Sequence, residues 1–102
     1  MIKKSITAVI DEISIVTGLF YQNRIEEGYR ELDRLLIEMN NLFSAISDEI
    51  RNDGVNFLDE AKLNEILMQA MKALEAGDTI LFSDIFEYDL KELLSQSINM
   101  EN

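Results

Sequence analysis

Apolar residues recur along this chain at alternating intervals of four and three residues, the spacing that keeps one stripe of side chains on one face of a helix. The first stripe consists of Ile2, Ile6, Val9, Ile13, Val16 and Phe20. The spacing breaks over residues 21–24 and resumes in a new phase, in which the second stripe consists of Ile25, Tyr29, Leu32, Leu36, Met39, Phe43, Ile46 and Ile50. These stripes predict a first helix over 2–21, a tight turn, and a second helix over 24–52.

Turn and capping residues predict where the third helix begins. Asp53 and Gly54 are a typical turn pair. Asn56 is followed three residues later by Asp59, which resembles the signal in which a side chain accepts hydrogen bonds from the exposed backbone N–H groups of a helix start. We therefore expect a third helix over 57–76.

Gly77 and Asp78 predict the junction between the third and fourth helices. Glycine adopts the left-handed conformation that often follows the end of a helix, and aspartate is a favoured N-terminal cap. The fourth helix is expected over 79–96, with a broad apolar face. The members of that face are Leu81, Phe82, Ile85, Phe86, Leu90, Leu93 and Leu94.

Four helices joined by short turns pack most simply as antiparallel neighbours. The expected fold is therefore all-α, an antiparallel up-down four-helix bundle that forms a single helical domain over residues 1–102. Two helical hairpins completed by dimerisation are the alternative. Further apolar residues flank the stripes, and they fit either a wide stripe inside an ordinary bundle or a surface for a client or a second subunit. These flanking residues are Ile10, Ile15, Leu19, Leu35 and Leu42.

Composition supports the helices and narrows the range of partners. The chain contains no proline and four glycines, so the residues that usually interrupt helices are nearly missing. Nine basic and twenty acidic residues give a net charge of −11, which would repel nucleic acids and anionic membrane surfaces. Residues 78–102 hold six acidic residues and one lysine, so the acidic character is strongest toward the C-terminal end.

The location expected from the sequence is cytoplasmic. No segment approaches the roughly 18 uncharged apolar residues of a membrane span. The apolar stretch near the N-terminus is interrupted by Asp11 and Glu12 and lacks a cleavage site of small residues, so it makes a poor signal peptide.

The side chains that usually carry catalysis are missing. The sequence has no histidine and no cysteine, which removes the commonest general base, the thiol nucleophile and the usual transition-metal ligands. It also has no glycine-rich phosphate loop. We therefore expect a protein that is not an enzyme and that binds neither a cofactor nor a metal.

Carboxylates cluster on the second and fourth helices, and such clusters can hold magnesium through oxygen ligands. The members are Glu26, Glu27 and Glu31 on the second helix, and Asp84, Glu87 and Asp89 on the fourth. Magnesium-dependent nucleotide pyrophosphatases of the all-α kind use a Glu-Glu-x-x-Glu motif, but Glu31 lies one residue too late to complete it. A solvated face with arginine ion pairs is the simpler interpretation.

The fourth helix carries the candidate partner-binding residues, which are Phe82, Asp84, Phe86, Glu87, Tyr88 and Asp89. Phe82 and Phe86 are four residues apart on one face and suit a core, whereas Tyr88 lies toward another face, between two acids. An aromatic side chain between acids can contact a basic amphipathic segment of a partner, and a tyrosine at the edge of the core is the alternative.

Two segments, 19–29 and 73–90, resemble a small acidic helical family of Gram-positive bacteria. They read Leu-Phe-Tyr-Gln-Asn-Arg-Ile-Glu-Glu-Gly-Tyr and Ala-Leu-Glu-Ala-Gly-Asp-Thr-Ile-Leu-Phe-Ser-Asp-Ile-Phe-Glu-Tyr-Asp-Leu. In size, acidity and helical make-up the chain also resembles flagellar and type III export chaperones, which hold aggregation-prone helices of secreted subunits. This resemblance implies a chaperone-like role in flagellar or type III export. The flanking apolar residues, the acidic C-terminal half and the missing catalytic side chains lead us to expect an adaptor that binds an amphipathic, basic helix of a partner protein.

A local resemblance implies a different activity. The aspartyl-phosphate phosphatases of sporulation control are short helical hairpins with a Ser-Gln-Glu-Leu-Asp motif on the second helix. Glu31, Leu32 and Asp33 match its last three residues, while Tyr29 and Arg30 replace the serine and the glutamine. The resemblance implies a phosphatase that acts on a response regulator through Asp33 and Glu31. A structural homodimer is the third hypothesis.

Overall fold

The computed structural model describes residues 2–53 and 58–100, and this part of the chain consists of helices and the turns that join them. Its elements are α1 (Ile2–Tyr21), α2 (Ile25–Asp53), α3 (Glu60–Glu75), α4 (Thr79–Asp84), a π-helical turn (Ile85–Leu90) and α5 (Lys91–Met100). The last three elements follow one another without a break and form one rod, which we call the C-terminal helix. The predicted all-α bundle is confirmed. None of the described helices combines the length and the apolar character needed to cross a membrane.

Several helix boundaries differ from those predicted, by at most four residues. α2 continues through Asp53, so this residue belongs to a helix rather than to a turn. α3 begins directly after Asp59, whose Oδ1 accepts a hydrogen bond from the Lys62 N–H at 3.1 Å and so caps the helix. The predicted cap Asn56 lies outside the described residues, as does Gly54. The C-terminal helix continues to Met100, beyond the predicted end.

The turn between α1 and α2 explains the break in the apolar pattern. Asn23 has a φ of 60°, a left-handed conformation that asparagine tolerates better than most residues. Its N–H donates to the Phe20 carbonyl at 3.0 Å, and the Arg24 N–H donates to the Leu19 carbonyl at 2.9 Å. The predicted tight turn is therefore confirmed.

The turn between α3 and α4 has the two caps that the sequence predicts. Gly77 has a φ of 72°, and its N–H donates to the Leu74 carbonyl at 2.9 Å. The Asp78 Oδ1 accepts from the Leu81 N–H at 2.9 Å, which satisfies one of the free donors at the start of α4. Both capping predictions are confirmed.

α1 lies in the middle of the bundle. It packs against α2 and against the C-terminal helix, while α3 packs against the C-terminal helix. Three side-chain hydrogen bonds join α1 to the C-terminal helix, and they pair Tyr21 with Asp84, Thr17 with Glu87, and Ser14 with Lys91. Residue numbers fall along one helix as they rise along the other, so the two helices are antiparallel. The fold therefore consists of two helical hairpins joined through α1 and the C-terminal helix.

The apolar stripe of α1 is confirmed at the five members whose side chains the structure describes. Ile6, Val9, Ile13, Val16 and Phe20 are all buried. The Phe20 ring meets Tyr29 of α2 edge-on, with centroids 5.2 Å apart, and Phe82 of the C-terminal helix, with centroids 5.9 Å apart. This ring therefore lies at the junction of three helices.

The prediction of which residues form the buried stripe of α2 is wrong in part. The buried stripe consists of Leu32, Leu35, Met39, Leu42 and Ile46. Leu36 and Tyr29, which the sequence placed in the stripe, are exposed, while Ile25 and Phe43 are half-buried. The helix is therefore rotated, relative to the prediction, toward the side that carries Leu35 and Leu42.

The physical reason for this rotation is a close approach between Gly28 and the Phe20 ring. A Cβ atom on Gly28 would lie 2.5 Å from Phe20 Cε1, so the ring occupies the space that a side chain would need. Gly28 must therefore face α1. The positions that follow it at four-three spacing begin with Leu32 and Leu35 rather than with Leu36.

The apolar residues that flank the predicted stripes do not form a free groove. Leu35 and Leu42 belong to the core, and Ile10 and Leu19 are half-buried. Ile15 is exposed. A wide stripe inside an ordinary bundle therefore explains four of these five residues.

A π-helical turn accommodates one extra residue in the C-terminal helix. Buried side chains recur there at three successive intervals of four, at Phe82, Phe86, Leu90 and Leu94. In a regular α-helix, each interval of four would rotate the next side chain by about 40°. Hydrogen bonds of the π turn reach one residue further, as in the bond from the Lys91 N–H to the Phe86 carbonyl. The wider turn keeps the buried side chains of α4 and α5 on one side of the helix.

Candidate functional site

A groove of about 640 Å³ runs between α3 and the C-terminal helix. Its apolar lining consists of Ala73, Ala76, Leu81, Ile85 and Tyr88. Leu81 and Tyr88 are seven residues apart on one face of the C-terminal helix, and both stay exposed. The residues that line the opposite wall include Ala73 and Ala76, which have short side chains. The groove therefore offers an uncovered apolar surface of a volume usual for ligand sites.

Aspartates lie along one side of this apolar surface. Asp78 caps α4, Asp84 ends it, and Asp89 lies in the π turn, so all three come from one side of the groove. Lys72 of α3 is the one cation among the described lining residues, and Gln69 is neutral. The groove therefore has an excess of negative charge in a protein whose net charge is −11.

Two of the six candidate partner-binding residues belong to the core. Phe82 is 1% exposed and Phe86 is 2% exposed, and their ring centroids lie 4.4 Å apart. A partner that docks on the surface of this fold cannot reach either ring. Both residues act instead by holding the C-terminal helix against α1, since Phe82 also meets Phe20.

Two further candidates, Asp84 and Glu87, are engaged with α1. The Tyr21 hydroxyl donates to Asp84 Oδ1 at 2.6 Å, and burial together with this hydrogen bond raises the pKa of Tyr21. Lys91 Nζ donates to Glu87 Oε1 at 2.9 Å, and Thr17 Oγ1 donates to Glu87 Oε2 at 3.3 Å. These contacts stabilise helix packing, although Asp84 also lines the groove.

Tyr88 and Asp89 are the candidates that the groove presents to solvent. Both line the groove and both are exposed, Tyr88 by 66%. Together with Asp84 they form one surface, so the structure brings three of the six candidates to one place.

The α3 wall of the groove was missed by the sequence reasoning. It is formed by Ala73 of α3 and by Ala76, which directly follows α3, with Lys72 beside them. Ala70, Ala73 and Ala76 recur at intervals of three, and this spacing of small residues was the available signal. Such spacing is ambiguous, because Ala70 is buried against a neighbouring helix while Ala76 is exposed.

The carboxylates at the start of α2 do not converge. Arg24 Nε donates to Glu27 Oε1 at 2.9 Å, and the Glu31 carboxylate lies 4.0 Å from Arg34. Within residues 2–53 and 58–100, no group of three or more histidine, cysteine, aspartate or glutamate side chains is arranged to hold a metal ion. Glu27 and Glu31 thus each pair with an arginine of their own helical region rather than with one another.

The residues of the phosphatase resemblance lie on different sides of α2. Leu32 is buried and Asp33 is exposed. Glu31 is half-buried, and its carboxyl group contributes to raising the pKa of Glu12 on α1. Glu31 and Asp33 therefore do not share a site in this structure.

Comparison with known proteins identifies a family. No curated protein and no solved structure matches this chain. The family described as "Domain of unknown function (DUF8042)" matches residues 1–100, a span that includes both hairpins and the groove. The chain therefore belongs to the DUF8042 family.

Proposed function

We propose that this protein is a cytoplasmic, non-enzymatic adaptor of chaperone-like character that binds a basic amphipathic helix of a partner protein. The observation that carries the proposal is the groove between α3 and the C-terminal helix, where an apolar surface lies beside three aspartates. A helix with one apolar stripe and lysine or arginine next to it has the complementary surface.

The dimensions of the groove suit a short stretch of helix. From Leu81 to Asp89 the wall is about 12 Å long, which corresponds to two helical turns. Anchoring side chains of a bound helix, spaced by three or four residues, would contact Leu81 and Tyr88. Tyr88 has the large, rigid side chain that often contributes most to such an interface.

Charge selects the class of partner. Three aspartates against one lysine line the groove, and the whole chain adds a net charge of −11. An acidic partner would be repelled, whereas a basic partner is attracted over a distance that depends on ionic strength. Binding should therefore weaken as salt is added.

A pair of synthetic peptides tests the proposal. One is an amphipathic helix of leucine and lysine, and the other has glutamate at every lysine position. Fluorescence anisotropy should show binding of the lysine peptide, with an affinity that falls as salt rises, and no binding of the glutamate peptide. Equal binding of both peptides, or binding of neither at low salt, would overturn the proposal.

Tyr88→Ala tests whether the groove is the binding surface. Loss of an exposed aromatic anchor should weaken binding of the lysine peptide by about tenfold or more. Ile37→Ala is the matched control, because Ile37 is 65% exposed but lies on α2, away from the groove. If both substitutions weaken binding equally, the peptide binds elsewhere.

Charge reversal separates the groove from the overall charge of the protein. Asp89→Lys and Asp33→Lys change the net charge by the same amount, and both residues are exposed. Asp89→Lys should weaken binding of the lysine peptide more strongly, since Asp89 lines the groove. Equal effects would show that binding is non-specific attraction to an acidic protein.

A further inference from the structure

Glu12 is a buried carboxyl group between α1 and α2. Its side chain is 8% exposed, and Oε1 has no hydrogen-bond partner among the described residues. The other buried polar side chains in this part of the chain are Thr17, Ser83 and Ser97. Ser83 and Ser97 each donate to a backbone carbonyl of the preceding helical turn, and the Thr17 hydroxyl lies 3.3 Å from both the Ser14 carbonyl and Glu87 Oε2. Glu12 therefore needs an explanation that the helix backbone does not supply.

The group opposite Glu12 is another carboxyl. The Glu31 carboxyl group lies across the hairpin from Glu12, and hydrogen bonding between the two carboxyl groups contributes to raising the pKa of Glu12. Two ionised carboxylates are both acceptors, so a hydrogen bond between them requires a proton on one of them. The structure therefore holds the carboxyl pair in an arrangement that a bound proton completes.

We infer that Glu12 and Glu31 together form a proton-binding site that fastens α1 to α2 and weakens when the proton is lost. The charges around Glu12 support this inference. Glu31 and Glu38 face it from α2, and the nearby cation, Arg34, is 69% exposed and lies 4.0 Å from Glu31. One exposed arginine does not neutralise three acids.

The charged residues of the C-terminal helix do not change this excess of negative charge around Glu12. Glu87 and Lys91 of the C-terminal helix pair with each other, and they contact Thr17 and Ser14 on the opposite flank of α1. A divalent cation is not favoured either, because no group of three carboxylates within the described ranges could ligate one. A proton is the ligand that fits two carboxyl groups alone.

The direction of the pH effect follows from the burial of Glu12. Burial, then the hydrogen bond to Glu31, then the charges of Glu31 and Glu38 raise the pKa of Glu12 from 4.5 to about 7, while Arg34 opposes them. The folded state thus holds the proton more tightly than the unfolded state. The resulting stability is fully present below about pH 4.5, is lost as pH rises through about 7, and is absent at higher pH. The hairpin should therefore loosen near neutral pH.

A titration of the wild-type protein tests the site directly. Carbon NMR on protein labelled in its glutamate carboxyl groups should show Glu12 titrating close to pH 7. A midpoint near the ordinary glutamate value of 4.5 would overturn the inference. Magnesium chloride is added in a second series, and a selective shift of the Glu12 signal would also overturn it by showing a cation site.

Glu12→Gln gives the second test, because glutamine can still donate to Glu31 but cannot ionise. Between about pH 5 and about pH 8.5, the unfolding equilibrium constant of the wild type should rise on the order of a hundredfold more than that of Glu12→Gln. Asp11→Asn, an exposed neighbour, is the control and should behave like the wild type. Parallel pH profiles for wild type and Glu12→Gln would refute the site. Peptide binding in the groove is not needed for any of these measurements.

Discussion

At the scale of single residues, Gly28 and Phe20 determine how α2 lies on α1. The Phe20 ring is 1% exposed and is held between Tyr29 and Phe82. It fills the space beside Gly28 in which any other residue would place a Cβ atom. Because three helices share this ring, an atom added at Gly28 would displace more than one element.

Gly28→Ala should destabilise the protein. Alanine favours helices over glycine by about 1 kcal/mol, but overpacking against a fixed ring costs about 1–3 kcal/mol. We expect a net loss in the free energy of unfolding, measured by urea denaturation with circular dichroism detection.

Gly18→Ala is the matched control. Gly18 lies inside α1, and a Cβ atom there would meet nothing within 4 Å. This substitution should stabilise the protein by about 0.5–1 kcal/mol. Equal gains from both substitutions would show that the Phe20 ring is free to move and does not determine the position of α2.

This contact also explains which part of the core the sequence could predict. Leu32, Met39 and Ile46 belong to two possible four-three stripes, one completed by Leu36 and the other by Leu35. Between residues 32 and 46, both stripes consist of apolar residues alone. Which stripe is buried depends on which flank of α2 faces α1. Gly28 determines this because it has no side chain to clash with the Phe20 ring, and the spacing of apolar residues contains no information about such a contact.

At the scale of elements, the C-terminal helix was predicted as one helix but its π turn was not. Apolar residues are so frequent over 81–94 that they conceal the three intervals of four. The capping residues at Gly77 and Asp78 were predictable, because their roles depend on local backbone geometry alone.

Deletion of Asp89 tests whether the π turn contains one residue too many. Asp89 is exposed and lies inside the turn. Without it, the buried residues after Phe86 return to intervals of three and four, so a regular α-helix would bury the same side chains. The fold should survive with a loss of no more than about 1–2 kcal/mol, measured by thermal unfolding.

Deletion of Asp33 is the matched control, because it is also an exposed aspartate but lies in regular α-helix. It would rotate every later residue of α2 by about 100° and turn Met39 and Ile46 out of the core. Severe destabilisation is expected. Similar damage from both deletions would contradict the account of the π turn.

The candidate site was predictable on one element and not on the other. Tyr88 and Asp89 differ from the core face by their position on the helix, which sequence spacing shows. Ala76 lines the groove only because α3 packs beside the C-terminal helix. No local sequence pattern shows which helix will pack there. Phe82 and Phe86 were included because aromatic character alone does not distinguish a core from an interface.

At the scale of the whole molecule, α2 is the least covered long helix. The protein measures 42 × 23 × 20 Å, and the 29 residues of α2 span about 43 Å, the full length of the molecule. α1 has 20 residues and spans about 30 Å. Since α2 contacts mainly α1, its last turns extend beyond the helix that covers it.

Amide hydrogen exchange should reveal this unequal coverage. We expect backbone amides in the last two turns of α2 to exchange at least about tenfold faster than those in the middle of α1, because local opening there exposes fewer buried contacts. Mass spectrometry of peptic fragments measures both segments in one sample. Equal protection of the two segments would show that α2 opens only when the whole molecule unfolds.

The central position of α1 also has a consequence for how the chain folds. Each hairpin forms between helices that follow one another, whereas the hydrogen bonds that join the hairpins link residues 63 to 77 positions apart. Closing so long a loop costs conformational entropy before any stabilising contact between the hairpins has formed. The hairpins should therefore form early, and the rate of folding should depend on the docking of α1 against the C-terminal helix.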